Sequence, residues 1–296
     1  MSSQPRLPIH EVFHPRNGSR NTNRAIVSIL GFNSSWRTVR PRLHVLADTL
    51  QSDVIGIVRR GTDTTRPDPQ LRRRLSSLNS FLTLCHEDSE WLDKKLFRYP
   101  KRLFEGSSAG AVMALGMVAA RPGMATHLLI REGFNQRAKP QQPEAIYKGA
   151  LRVVRQQLPD VPYIDRYKPA HWQPTGIPEI PDLRPPAQKV RAAARLAVAG
   201  SIEMWHWGEN ACSGIPQQLA RRVAASQPSV AVNSIEYEHG IGGDPVRSWM
   251  FAQELEALRG DHGAPLKAVV LPNFRHSHLL DPALHGQDIE HTFALR

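Results

Sequence analysis

The chain has 296 residues, of which 41% are hydrophobic and 22% charged, and a formal net charge of +11 at pH 7. That composition is ordinary for a soluble globular protein, and the length is enough to bury a substantial core. No apolar run reaches the roughly 20 residues needed to cross a bilayer, and the two cysteines, Cys85 and Cys212, exclude a disulfide framework.

The N-terminal stretch lacks the apolar core of a signal peptide, so a reducing cytoplasm is the simplest expectation. The excess positive charge raises the question of nucleic acid. It is scattered, however, in short runs such as Arg59-Arg60, Arg72-Arg73-Arg74 and Arg221-Arg222. No zinc-finger spacing, phosphate loop or aromatic RNA-binding signature accompanies it, which argues against a dedicated nucleic-acid binder.

In chain order, residues 24–32 (RAIVSILGF) read as a buried strand and 37–51 as a helix after Pro41. Residues 53–58 (DVIGIV) read as a second strand. Leu71, Leu75, Leu78 and Leu82 space a helix over 70–84. Residues 101–106 read as a third strand, 109–121 as an Ala-rich helix ending before Pro122, and 125–134 as a fourth strand.

The alternation then breaks. Residues 136–188 contain one helix-like piece followed by a Pro-rich stretch that cannot form regular structure. Because strand–helix alternation resumes, this stretch is expected to be a lid or cap insertion within a single domain covering 1–296. Strands are expected at 199–208, 229–238 and 266–274, with helices at 215–226 and 245–260 between them and a closing helix after Asp281. Strands alternating with helices imply an α/β fold with a mostly parallel sheet of about eight strands flanked by helices.

The most informative stretch is Gly106-Ser107-Ser108-Ala109-Gly110, lying between a strand and a helix. A sharp strand-to-helix turn strains the central residue and tolerates only small neighbours. It would lift the Ser108 hydroxyl toward the helix N-terminus, where free amides favour developing negative charge. A serine that merely caps the helix is the plainer alternative.

From AIVSILGFNSSW (25–36) through GSSAGA (106–111) to RHSHLLDP (275–282), the chain resembles the α/β-hydrolase superfamily. The resemblance implies an α/β-hydrolase-like fold and a serine hydrolase acting on ester or related acyl bonds through an acyl-enzyme. It also implies an oxyanion hole built from the backbone amides of Ala109 and, after the first strand, Phe32. The His-Gly that often marks that loop is replaced by Leu30-Gly31-Phe32.

A serine hydroxyl needs a base, and the base needs an orienting carboxylate. The superfamily order is Ser, acid, His, and thirteen histidines leave the choice open. One set takes His276, with His278 as its neighbour, just after the last expected strand, and Asp244 after the strand before it. Asp244 precedes Pro245 and is equally a good helix N-cap. A second set takes His239 as base and Glu209 as acid, in a loop where Ala211 occupies the position of the usual Asp. A third acid, Glu132, follows the strand after the serine helix.

His276 and His278 without a third ligand make a weak metal site. No metal or organic cofactor is therefore expected, and the expected partner is a small-molecule acyl or ester substrate. A hydrolase-like scaffold that binds without catalysing is the alternative function.

Overall fold

A computed structural model describes residues 9–16, 18–30, 36–58, 78–107, 109–131, 215–239, 266–275 and 282–295. The expected lid at 136–188, the strand at 199–208 and the helix at 245–260 lie outside the described residues.

Strand β1 is Ile9–Phe13, β2 Asn21–Ile29, β3 Ser52–Val58, β4 Lys101–Ser107, β5 His127–Arg131, β6 Ala231–His239 and β7 Leu266–Arg275. They form one seven-stranded sheet in the order β1-β3-β2-β4-β5-β6-β7. Strands β2 to β7 run parallel, and only β1 is antiparallel, paired with β3 at the sheet edge. Every residue of β3 is buried, as expected of a parallel strand covered on both faces. The fold is the mostly parallel α/β architecture expected from the sequence.

Among the described residues the helices are α1 (Trp36–Leu50), α2 (Leu78–Ser89), the four-residue α3 (Asp93–Leu96) after a 3-10 turn, α4 (Ala109–Ala120), α5 (Ile215–Ser226) and α6 (Pro282–Phe293). Two apolar cores divide the sheet by the alternation of strand side chains. Ile26, Leu103 and Leu129 point to one face, where they meet Val39, Leu43 and Leu46 of α1 and Ile289 and Phe293 of α6. Val27, Phe104, Leu128 and Ile130 point to the other, where they meet α2, α4 and α5. Helix α4 is apolar all round and buried from Gly110 to Ala119. Each large side chain it buries contributes about 1.5–3 kcal/mol.

Two elements differ from expectation. Helix α1 begins at Trp36, so Pro41 lies inside it. The fixed φ of proline is helical, and its missing N–H forfeits one hydrogen bond near the helix start. Burial of Val39, ahead of the proline, extends the apolar stripe through Leu43, Ala47 and Leu50. Strand β1, IHEVF, carries too little alternation to be read from sequence. Its pairing with β3 and the burial of Phe13 hold it in place.

Candidate functional site

Strand β4 ends at Ser107 and helix α4 starts at Ala109, so one residue of the sequence, Ser108, lies between them. The backbones around this turn approach too closely for side chains. A Cβ on Gly106 would fall within 3.0 Å of the Gly110 carbonyl oxygen and 2.6 Å from the Ala111 nitrogen. A Cβ on Gly110 would fall within 3.0 Å of the Ile29 carbonyl oxygen and 2.9 Å from the Leu30 carbonyl carbon. Real Cβ atoms do not approach other atoms so closely. The two glycines are therefore required by packing: one lets α4 fold back over β4, and the other seats the first turn of α4 on the end of β2.

Ser108, Phe32, Glu132, Glu209, Asp244, His276 and His278 lie outside the described residues. Of the remaining candidates, Ala109 is the first residue of α4 and His239 the last of β6, opposite Arg275 of β7. The ends of β2, β4, β5, β6 and β7 all face one edge of the sheet, because these strands are parallel. Strands β5 and β6 pair directly, although residues 132–230 separate them in sequence.

Beneath the turn lies a buried charged network that sequence reasoning missed. Glu105, three residues before Ser108, points to the α1/α6 face and is fully buried. The Ser28 hydroxyl of β2 donates to its carboxylate. His285 Nε2 of α6 lies 3.1 Å from Glu105 Oε1. Arg131, the last residue of β5 and also fully buried, places Nε 2.8 Å from Asp288 Oδ2.

Burial alone would raise the Glu105 carboxyl, but His285, Ser28 and Arg131 outweigh it and hold the group below its ordinary value. Asp288 goes the other way: burial raises it despite Arg131 and His285. Burial lowers Arg42 of α1, an effect that Glu105 partly offsets. The signal in the sequence was a carboxylate inside an apolar strand, LFEGS, whose faces are both covered. A buried ionised group needs partners, but those partners sit on β2, β5 and α6 and cannot be read locally.

At the opposite end of the sheet, Asp53 near the start of β3 is fully buried and bonded by Arg20 and the Tyr99 hydroxyl. His14 Nδ1 lies 2.8 Å from its other oxygen. The strand polarity separates this cluster from the serine turn. Among the described residues, no cluster of three or more His, Cys, Asp or Glu side chains is arranged to hold a metal ion. No helix among them is long and apolar enough to cross a membrane.

Solved structures share this architecture over nearly the whole chain. A carboxylesterase of the thaumarchaeon Nitrososphaera gargenis matches with a TM-score of 0.57 at 14% identity, over 97% of this chain and 93% of that one. This is the α/β-hydrolase fold. MGS-M2, an α/β-hydrolase enzyme from a deep-sea metagenome library, matches with a TM-score of 0.58 at 13% identity, over 97% of this chain and 94% of the other. The carboxylesterase CesB of Bacillus subtilis gives 0.53 at 15% identity, over 98% and 93%. No protein-family model matches the sequence, and no curated protein sequence does. At these identities the likeness carries the fold, and the hydrolase fold hosts many chemistries.

Proposed function

We propose that the protein is a serine hydrolase that cleaves ester or related acyl bonds in small molecules, with Ser108 as nucleophile. The observation that carries this is the one-residue passage from β4 to α4, with Gly106 and Gly110 pressed against neighbouring backbone. That is the local architecture a nucleophile turn needs. The Ser108 oxygen attacks the carbonyl carbon, the base takes its proton, and the tetrahedral oxyanion is held by the amides of Ala109 and Phe32. Contact of Gly110 with the Ile29–Leu30 backbone supports that pair of donors, since Phe32 follows two residues after Leu30. Collapse expels the alcohol with the proton from the base, and water then releases the acid by the same steps in reverse roles.

His276 is the proposed base and Asp244 the proposed acid. In the superfamily the base follows the last strand and precedes one closing helix. Here β7 ends at Arg275, and α6 is the next described element. Asp244 follows the end of β6 by five residues. His239, by contrast, ends a strand that has another strand, β7, beyond it. His278 is the second choice of base; Glu209 and Glu132 are the other acids. Residues 136–188 are proposed as the lid, with 159–187 selecting substrate.

Turnover of short-chain p-nitrophenyl esters by wild type and Ser108→Ala tests the proposal. Loss of turnover in the variant is expected. Equal turnover in the two refutes Ser108 as the nucleophile, and no turnover by wild type leaves a binding scaffold. His276→Ala, His278→Ala and His239→Ala in the same assay choose the base.

A further inference from the structure

Helix α6 runs down the sheet along a single inward stripe: His285, Asp288, Ile289, Thr292 and Phe293, spaced as one helical face. Its lower half is fixed by apolar packing of Ile289 and Phe293 and by the Asn233 amide, which donates to the Thr292 hydroxyl at 2.9 Å. Arg24 at the start of β2 bonds Glu290. Its upper half meets the sheet through polar side chains: Asp288 with Arg131 of β5, and His285 with Glu105 of β4.

Among the described elements β7 precedes α6, and β7 stands three places from β4 in the sheet. Three strand spacings are about 14 Å. Six residues separate Arg275 from Pro282, and seven peptide steps reach at most about 25 Å fully extended. Six residues must therefore join the end of β7 to the start of α6, and the position of that start is set by what holds the first turn of α6.

We infer that Glu105 and His285 are positioning residues: their buried pair pins the first turn of α6 beneath the Ser108 turn, and so fixes where the connection holding His276 ends. The inference rests on the hydrolase reading for its catalytic consequence and on the fold alone for its mechanical one. Glu105 sits on the strand that delivers Ser108, and His285 on the helix that follows the proposed base. The pair thus ties the two halves of the reaction centre to one another from below, without touching substrate. The Ser28 hydroxyl donates to Oε1, the same Glu105 oxygen that His285 Nε2 approaches, and so helps to fix the carboxylate's orientation.

The test uses the full chain with Glu105→Gln and His285→Gln. Amide hydrogen exchange is read by mass spectrometry over residues 276–286 and over α2, alongside ester kinetics. Exchange over 276–286 is expected to quicken about tenfold in both variants, with α2 unchanged. Turnover (kcat) is expected to fall about 10- to 100-fold, with KM within about twofold, because misplacing a catalytic group acts on the transition state. The double variant should lose no more than the worse single one, as for a coupled pair.

Wild-type exchange rates over 276–286 in both variants overturn the inference, whatever the activity. Quickened exchange in a protein whose wild type turns over no ester leaves the tether standing and rejects the hydrolase reading. Should Glu105→Gln not fold, His285→Gln alone decides, since it keeps an uncharged polar group facing Glu105.

Discussion

Arg131 and Asp288 form an ion pair at 2.8 Å that joins the last residue of β5 to the second turn of α6, with the arginine fully buried. Burial raises the Asp288 carboxyl even with the guanidinium beside it. The two partners should therefore respond differently to removal of the other.

Asp288→Asn leaves Arg131 charged in the core, because a guanidinium does not deprotonate. A loss of about 3 kcal/mol is expected. Arg131→Met leaves a carboxyl that can take up a proton instead. A carboxyl raised in the native state favours folding below its unfolded value, and that contribution is lost as pH rises through the native value. Arg131→Met should therefore cost less stability at pH 5 than at pH 8, whereas the Asp288→Asn loss stays similar. Urea midpoints at the two pH values measure both.

The glycines of the serine turn yield a second expectation. Gly110→Ala sets a methyl against the Ile29 carbonyl, and Gly106→Ala sets one against Gly110. Both contacts are with backbone, which cannot turn away as a side chain can. Each variant should lose about 1–3 kcal/mol. Gly123→Ala, whose Cβ meets nothing within 4 Å but whose φ is +82°, tests backbone strain without crowding. Chemical denaturation of the three variants compares them. If Gly110→Ala retains wild-type stability, the close seating of α4 on β2 is wrong.

These residues also show how much the sequence can reveal. The strand–helix junction with its close-packed Gly106 and Gly110 was legible because its requirement is local: small residues at fixed spacing between a strand and a helix. Strands such as DVIGIV were legible because a strand buried on both faces is continuously apolar. The first turn of α1 was not legible, because Pro41 marks a helix start by local propensity while the burial of Val39 that extends the helix ahead of it is a tertiary effect. The Glu105 network was not legible, because its members come from residues 28, 105, 131, 285 and 288, and no spacing rule links them. The base and acid stayed open for the same reason: with thirteen histidines, the choice depends on which strand ends neighbour one another.

Asp53 supplies a pH expectation at the other end of the sheet. Burial alone would raise its carboxyl, but Tyr99, His14 and Arg20 together bring it below its ordinary value. A depressed carboxyl stabilises the fold above its unfolded value, near 3.9, and that contribution is lost as pH falls through the native value. Acid unfolding of wild type should thus include a component below about pH 4 that Asp53→Asn lacks. The variant should be less stable than wild type at pH 7, with the gap closing in acid. Thermal melts from pH 2.5 to 7 follow it, and a gap that stays constant with pH contradicts the assignment.

The most direct measurement of the central claim is covalent. The full-length protein is incubated with diisopropyl fluorophosphate, which phosphorylates an activated serine and releases fluoride, and the peptides are mapped by mass spectrometry. One adduct, on the peptide containing Ser108 and absent from Ser108→Ala, is the predicted result. An unmodified Ser108 peptide in a folded protein, or an adduct that survives Ser108→Ala, contradicts it.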